Sequence, residues 1–108
     1  MKDLFVCLAE KNRSPAAVGI AKQLAYKKGL KNYQSECVGI LGMRASKEAF
    51  EKYDRIFVMD NDIRLELIKE YDVLESKIVD LDIEDVSEGR TMDMIREELE
   101  EKLIEYFT

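Results

Sequence analysis

Histidine is absent from the 108-residue sequence, which removes the commonest metal ligand and the commonest general base. Any proton transfer must use carboxylate, lysine, tyrosine or thiol. Cysteine is scarce: Cys7 and Cys37 are too few for a disulfide framework and form no Cys-x-x-Cys pair of the zinc or thioredoxin kind, so both are read as reduced thiols. Proline occurs once, at Pro15. With no linker rich in proline, glycine or serine, no low-complexity tract and no internal repeat, a single domain over 1–108 is expected. No apolar run approaches the roughly 20 residues that cross a bilayer, and the opening Met-Lys-Asp-Leu-Phe-Val-Cys is too short and too soon interrupted for a secretory signal. A cytoplasmic location without membrane partners is expected. Positive charge is also in deficit, and a net charge of −6 works against nucleic acid as a partner. What is present, 46% hydrophobic and 37% charged residues, suits a folded chain rather than a disordered one. The sequence is silent on oligomeric state.

Short β-rich runs alternate with helical patterns along the whole chain, the signature of an α/β fold with a parallel sheet between helices. The expectation is a three-layer sandwich around four parallel strands. Leu4-Phe5-Val6 reads as the first strand, and Ser14-Pro15 as the cap and first position of a helix. Ala17, Ile20, Ala21, Leu24 and Ala25 form its inward face, and Gly29 ends it. Tyr33 to Val38 gives a second strand. Ser46 caps a short helix with Ala49, Phe50 and Tyr53 inward. Arg55 to Met59 is the third strand, followed by Asp60-Asn61 as a cap and by Ile63, Leu67, Tyr71 and Leu74 on one helical face. Ile78 to Ile83 is the fourth. After a polar loop over Glu84 to Arg90, Met92, Ile95, Leu99, Leu103 and Tyr106 form the apolar stripe of a last helix, whose Glu97 to Glu105 surface reads as a solvated face.

Ligands of open α/β sheets bind beyond the carboxyl ends of the strands, and the first strand ends at Cys7. From there the chain runs Cys7-Leu8-Ala9-Glu10-Lys11-Asn12-Arg13-Ser14-Pro15. A loop of this length between strand and helix can turn successive backbone N–H groups inward, forming an anion nest at the positive end of the helix dipole. Leu8, Ala9, Glu10, Lys11, Asn12, Arg13 and Ser14 are the candidate phosphate-binding residues. Arg13 adds a planar fork of donors that grips two oxygens at once. The same donors favour a thiolate over a thiol, which makes Cys7 a candidate nucleophile, with Ser14 able to donate to its sulfur.

Cysteine, five residues, arginine and serine near the N-terminus resemble the signature of the low-molecular-weight protein tyrosine phosphatases, with Cys7, Arg13 and Ser14 in register. Val38-Gly39 looks like the end of that family's second strand, and Ile56 to Asp60 like its strand leading into Met-Asp. The resemblance implies a phosphatase that needs no metal or cofactor and acts on a phosphorylated protein or a small aryl phosphate. It further implies Cys7 as nucleophile, Arg13 as clamp on the phosphoryl group, and an aspartate from a later loop as general acid. The family's Asp-Pro-Tyr-Tyr segment is missing. Asp80-Leu81-Asp82-Ile83-Glu84-Asp85-Val86 is instead similar to the Leu-Asp-Ile-Pro-Asp of a smaller subgroup of tyrosine phosphatases, with Glu84 in the place of proline. That match implies Asp85 as the acid, and Asp82, expected still within the strand, as the alternative. Glu10 is expected to turn its carboxylate outward while its N–H faces in. Asn12 stands where some relatives carry a second cysteine, so their protective disulfide is not expected. Cys37, near a family serine, is read as a buried structural thiol.

Three competing readings remain. Cys7 can be a small buried hydrophobe at a strand end, with Arg13 in a surface ion pair. An arsenate reductase would use the same loop, but the sequence offers no relay cysteine after Cys37. A phosphate- or phosphopeptide-binding module, inactivated by Glu10 and the altered acid loop, would bind without hydrolysis.

Overall fold

The computed structural model describes residues 1–108 apart from Glu10, Gly42 and Arg44. Four strands, β1 (Lys2–Cys7), β2 (Gln34–Gly39), β3 (Arg55–Val58) and β4 (Ile78–Asp80), form one sheet in the order β2-β1-β3-β4. Every pairing is parallel. The two central strands read as nearly continuous apolar runs because both of their faces are covered: Leu4 to Cys7 and Ile56 to Met59 are all buried. Phe5 stacks on Phe57 across the β1–β3 pair, with ring centroids 4.9 Å apart. From β1 the chain crosses to β2 on one side and then returns to β3 on the other. The strand order therefore reverses between β1 and β3, the place where open α/β sheets carry their ligand crevice, beyond the carboxyl ends of the strands.

Helix α1 (Arg13–Lys27) begins earlier than Ser14-Pro15 suggests. Asn12 holds the N-cap position and Pro15 lies third in the helix, where its missing N–H costs nothing because the first four N–H groups of a helix lack internal partners. Ser14 is thus inside the first turn rather than capping it. The other end follows the expectation: Gly29 takes φ +69°, its N–H donates to the Tyr26 carbonyl, and that of Leu30 donates to Ala25, the paired bonds of a Schellman motif. Helix α1 packs on the sheet and against α4 (Met92–Leu103).

Helix α2 (Lys47–Glu51) is a single short turn. Phe50 and Tyr53 are buried as the spacing predicts, but Ala49 is exposed because so short a helix presents only a narrow inward face. In α3 (Asn61–Tyr71) the Asp60 carboxylate accepts from the Ile63 N–H at 3.0 Å, and Ile63 and Leu67 are buried. The helix stops at Asp72, which adopts the left-handed conformation. Leu74 therefore leaves the predicted stripe for solvent and Val73 takes its place in the core. Strand β4 is likewise shorter than predicted. Asp80 accepts from the Asp82 N–H at 2.9 Å and Asp82 turns to φ +52°, ending the strand while Leu81 and Ile83 remain buried. Asp82 lies beyond the strand, not within it. Ile95, Leu99 and Leu103 of α4 are fully buried, and a closing 3₁₀ turn (Ile104–Phe107) inserts Phe107 beside them. Among the described residues no helix is long and apolar enough to cross a membrane.

The end of the sheet away from the crevice is locked by a buried ion pair. Asp3 is fully buried, and Arg55 meets it with two bonds, Nε to Oδ1 at 2.9 Å and Nη2 to Oδ2 at 2.8 Å. The Tyr33 hydroxyl also donates to Asp3 at 2.7 Å; burial, and then this bond, push its phenol well above the ordinary value. Burial alone would lower the Arg55 guanidinium, but the bond to Asp3 and its charge outweigh it and the net shift is upward. Arg55 also donates to the Tyr106 carbonyl at 2.8 Å and lies over the rings of Phe57 and Phe107, tying the C-terminal turn to β3. Removing Arg55 strands the fully buried Asp3 carboxylate. Arg55→Ala should accordingly cost about 3–5 kcal/mol in urea unfolding; a loss below about 1 kcal/mol, typical of exposed pairs, would show that the cluster does not hold this end together.

Candidate active site

Because β1 and β3 end side by side at the reversal of strand order, the residues that follow them share the crevice. Cys7 is the last residue of β1, 2% exposed, and its carbonyl accepts from the Ile40 N–H at 2.9 Å. The Leu8 carbonyl accepts from Leu41 at 2.9 Å, so the segment after β2 braces the start of the loop. Leu8, Ala9 and Lys11 are exposed and Asn12 is half-buried. The expectation for Glu10 falls outside the described residues.

Ser14 and Arg13 return the chain to the sulfur. The Ser14 hydroxyl lies 2.8 Å from the Cys7 Sγ, and both are buried; a hydroxyl so placed can donate to a thiolate. Having no capping duty, Ser14 is available for this contact. Arg13 is 4% exposed, which removes the reading of it as a surface residue. Its Nη1 donates to the Ile83 carbonyl at 2.8 Å and to Asp60 Oδ2 at 3.3 Å. Its Nε is buried and has no hydrogen-bond partner among the described residues, the nearest carboxylate oxygen being Asp85 Oδ2 at 3.8 Å. One edge of the guanidinium is anchored to protein while a donor beside it is left unmatched.

The two candidate acids diverge. Asp85 reaches the loop: Oδ1 accepts from Asn12 Nδ2 at 3.2 Å and from the Val86 N–H at 2.7 Å, and Oδ2 faces Arg13. Asp82 lines polar hollows with Lys102 and Glu101 or Glu98 near α4, and its carbonyl accepts from Lys102 at 2.8 Å. The segment between them is pinned by Ile83 N–H to the Met59 carbonyl at 2.7 Å and by Arg90 Nε to the Glu84 carbonyl at 2.9 Å. Sequence reasoning read Asp60 only as a helix cap. It does cap α3 through Oδ1, but Oδ2 also pairs with Arg13, and the signal, an acid directly after a strand next to β1, requires the strand order. Cys37 is half-buried rather than buried, because β2 is an edge strand.

A buried donor without a partner among the described residues, on the residue next to the serine that contacts Cys7, predicts an anion there. Tungstate should protect Cys7 from iodoacetamide, read by mass spectrometry of its peptide, without changing the labelling of Cys37. Arg13→Lys, which loses the fork, should need about tenfold more tungstate or worse. Equal protection in Arg13→Lys would contradict the assignment.

No protein-family model and no curated protein matches the sequence. Solved structures do match over nearly its whole length. A protein tyrosine phosphatase from Entamoeba histolytica superposes with a TM-score of 0.81 at 23% identity, covering 98% of this chain and 92% of that one. A low-molecular-weight protein tyrosine phosphatase from T. tengcongensis gives 0.75 at 21%, covering 98% and 99%, and the YwlE arginine phosphatase from Geobacillus stearothermophilus gives 0.71 at 19%, covering 97% and 91%. The four-stranded parallel sheet, its helices and the loop after β1 are thus those of the low-molecular-weight protein tyrosine phosphatases, and this chain has their fold.

Proposed function

We propose that this protein is a phosphatase that hydrolyses aryl phosphate monoesters, phosphotyrosine among them, through a phosphocysteine at Cys7. The observation that carries the reading is the buried Arg13, anchored through Nη1 and left with an unmatched Nε next in the chain to the serine that contacts the Cys7 sulfur. A dianionic phosphoryl group matches that donor and the backbone N–H groups that a loop of this length between strand and helix can turn toward an anion. In the first step the Cys7 thiolate attacks phosphorus as the bond to the aryl oxygen breaks, and Asp85 gives its proton to the departing phenolate. In the second, water attacks the phosphocysteine, Asp85 takes the water's proton, and the P–S bond breaks to return the thiolate and release phosphate. Arg13 and the loop stabilise the charge on the equatorial oxygens in both steps, and Ser14 stabilises the leaving thiolate.

The aryl preference draws on the names of the structural neighbours and on three exposed apolar side chains, Leu8, Leu41 and Val86, carried by the loops around Cys7. The neighbour described as an arginine phosphatase supports a second reading, in which the leaving group is a guanidine nitrogen. Purified protein should hydrolyse p-nitrophenyl phosphate at mildly acidic pH with chelator present, and Cys7→Ser should abolish turnover. Asp85→Asn should lower the rate with phosphotyrosine by about 10²–10⁴-fold. Phosphoarginine turned over faster than phosphotyrosine would favour the second reading, and phosphate binding without turnover of either would leave a binding module.

A further inference from the structure

Asn12 occupies the N-cap position of α1, and asparagine is among the best residues for that role, yet its side chain makes no capping bond. Its backbone is not in the extended conformation usual for a cap, at φ −119° and ψ −67°. The side-chain amide instead reaches across the crevice to Asp85 Oδ1 at 3.2 Å. The anchors of the acid loop stop short of this residue, since Arg13 and Met59 hold Ile83 and Arg90 holds the Glu84 carbonyl. Among the described residues, Asn12 is the hydrogen-bond donor from the phosphate loop to the Asp85 carboxylate. With the Val86 N–H it occupies Oδ1, which leaves Oδ2 as the oxygen turned toward Arg13 Nε.

We propose that Asn12 is a positioning residue for the general acid: by holding Oδ1 it fixes the acid loop over the phosphate loop and presents Oδ2 as the oxygen that delivers the proton. The inference rests on the phosphatase reading and adds to it a residue that touches neither sulfur nor leaving group. A donor is needed at this position for a physical reason. Asp85 is 45% exposed at its side chain, and its ion pair with Arg13, at 3.8 Å, is too long to fix its orientation. A misplaced catalytic group loses a large part of its effect even when chemically intact.

The test compares kcat/KM for p-nitrophenyl phosphate, whose leaving group departs without a proton, with that for phenyl phosphate, whose leaving group needs one. In Asn12→Ser, which still caps a helix but does not span the gap, the ratio of the two should rise about tenfold, a part of the roughly 10²–10⁴-fold that a general acid supplies. Asn12→Ala should behave alike, and Asn12→Ser added to Asp85→Asn should leave the ratio of Asp85→Asn unchanged. A purely structural role would lower both substrates together, and such a parallel loss, or a further rise in the double variant, would overturn the proposal while leaving the phosphatase reading intact. A wild-type protein inert toward both substrates would overturn both.

Discussion

A buried guanidinium keeps its charge and must be given acceptors. Arg13 meets this demand with a carbonyl from the loop after β4 and a carboxylate from the end of β3, so three separate segments converge on one side chain. The crevice is organised around it: its Nη1 bonds hold the loop after β4 against the sheet, its position in the first turn of α1 sets Ser14 beside the Cys7 sulfur, and its Nε, without a hydrogen-bond partner among the described residues, is the donor to which the proposed phosphoryl group is matched. Asp60 and Asp85 balance its charge.

The two ends of the sheet use arginine in opposite ways. At the amino ends of the strands each nitrogen of the Arg55 guanidinium is bonded, to Asp3 or to the Tyr106 carbonyl, and the group lies among aromatic rings. At the carboxyl ends, about 13 Å along β1 at roughly 3.3 Å per residue, the hydrogen bonds that Arg13 makes among the described residues all leave from Nη1. The same residue type serves as a staple where all three of its nitrogens are bonded and as a candidate binding group where one of them is not.

Much of this was legible in the sequence because local rules carried it. The strand cores, the Asp60 cap, the Gly29 stop and the Cys7–Arg13–Ser14 spacing each depend on residues close in the chain. Two of the misplaced ends, those of α3 and β4, share a cause: Asp72 and Asp82 adopt left-handed backbone, which asparagine and aspartate tolerate better than other side chains but which no spacing announces. These two turns shortened β4 and expelled Leu74. Asp60 as a partner of Arg13 and Asn12 as a partner of Asp85 were beyond sequence reading for another reason, since both contacts span more than 40 residues and depend on which strands are neighbours.

The account turns on a covalent bond between Cys7 and phosphorus. The most direct measurement is acid quenching of Asp85→Asn during turnover of p-nitrophenyl phosphate, followed by mass spectrometry of the peptide that contains Cys7. The first step survives in that variant because its leaving group needs no proton, whereas the second is slowed by loss of the base, so phosphate should accumulate on the Cys7 sulfur. Product release with no phosphate on Cys7 at any quench time would contradict the account and point to direct attack by water.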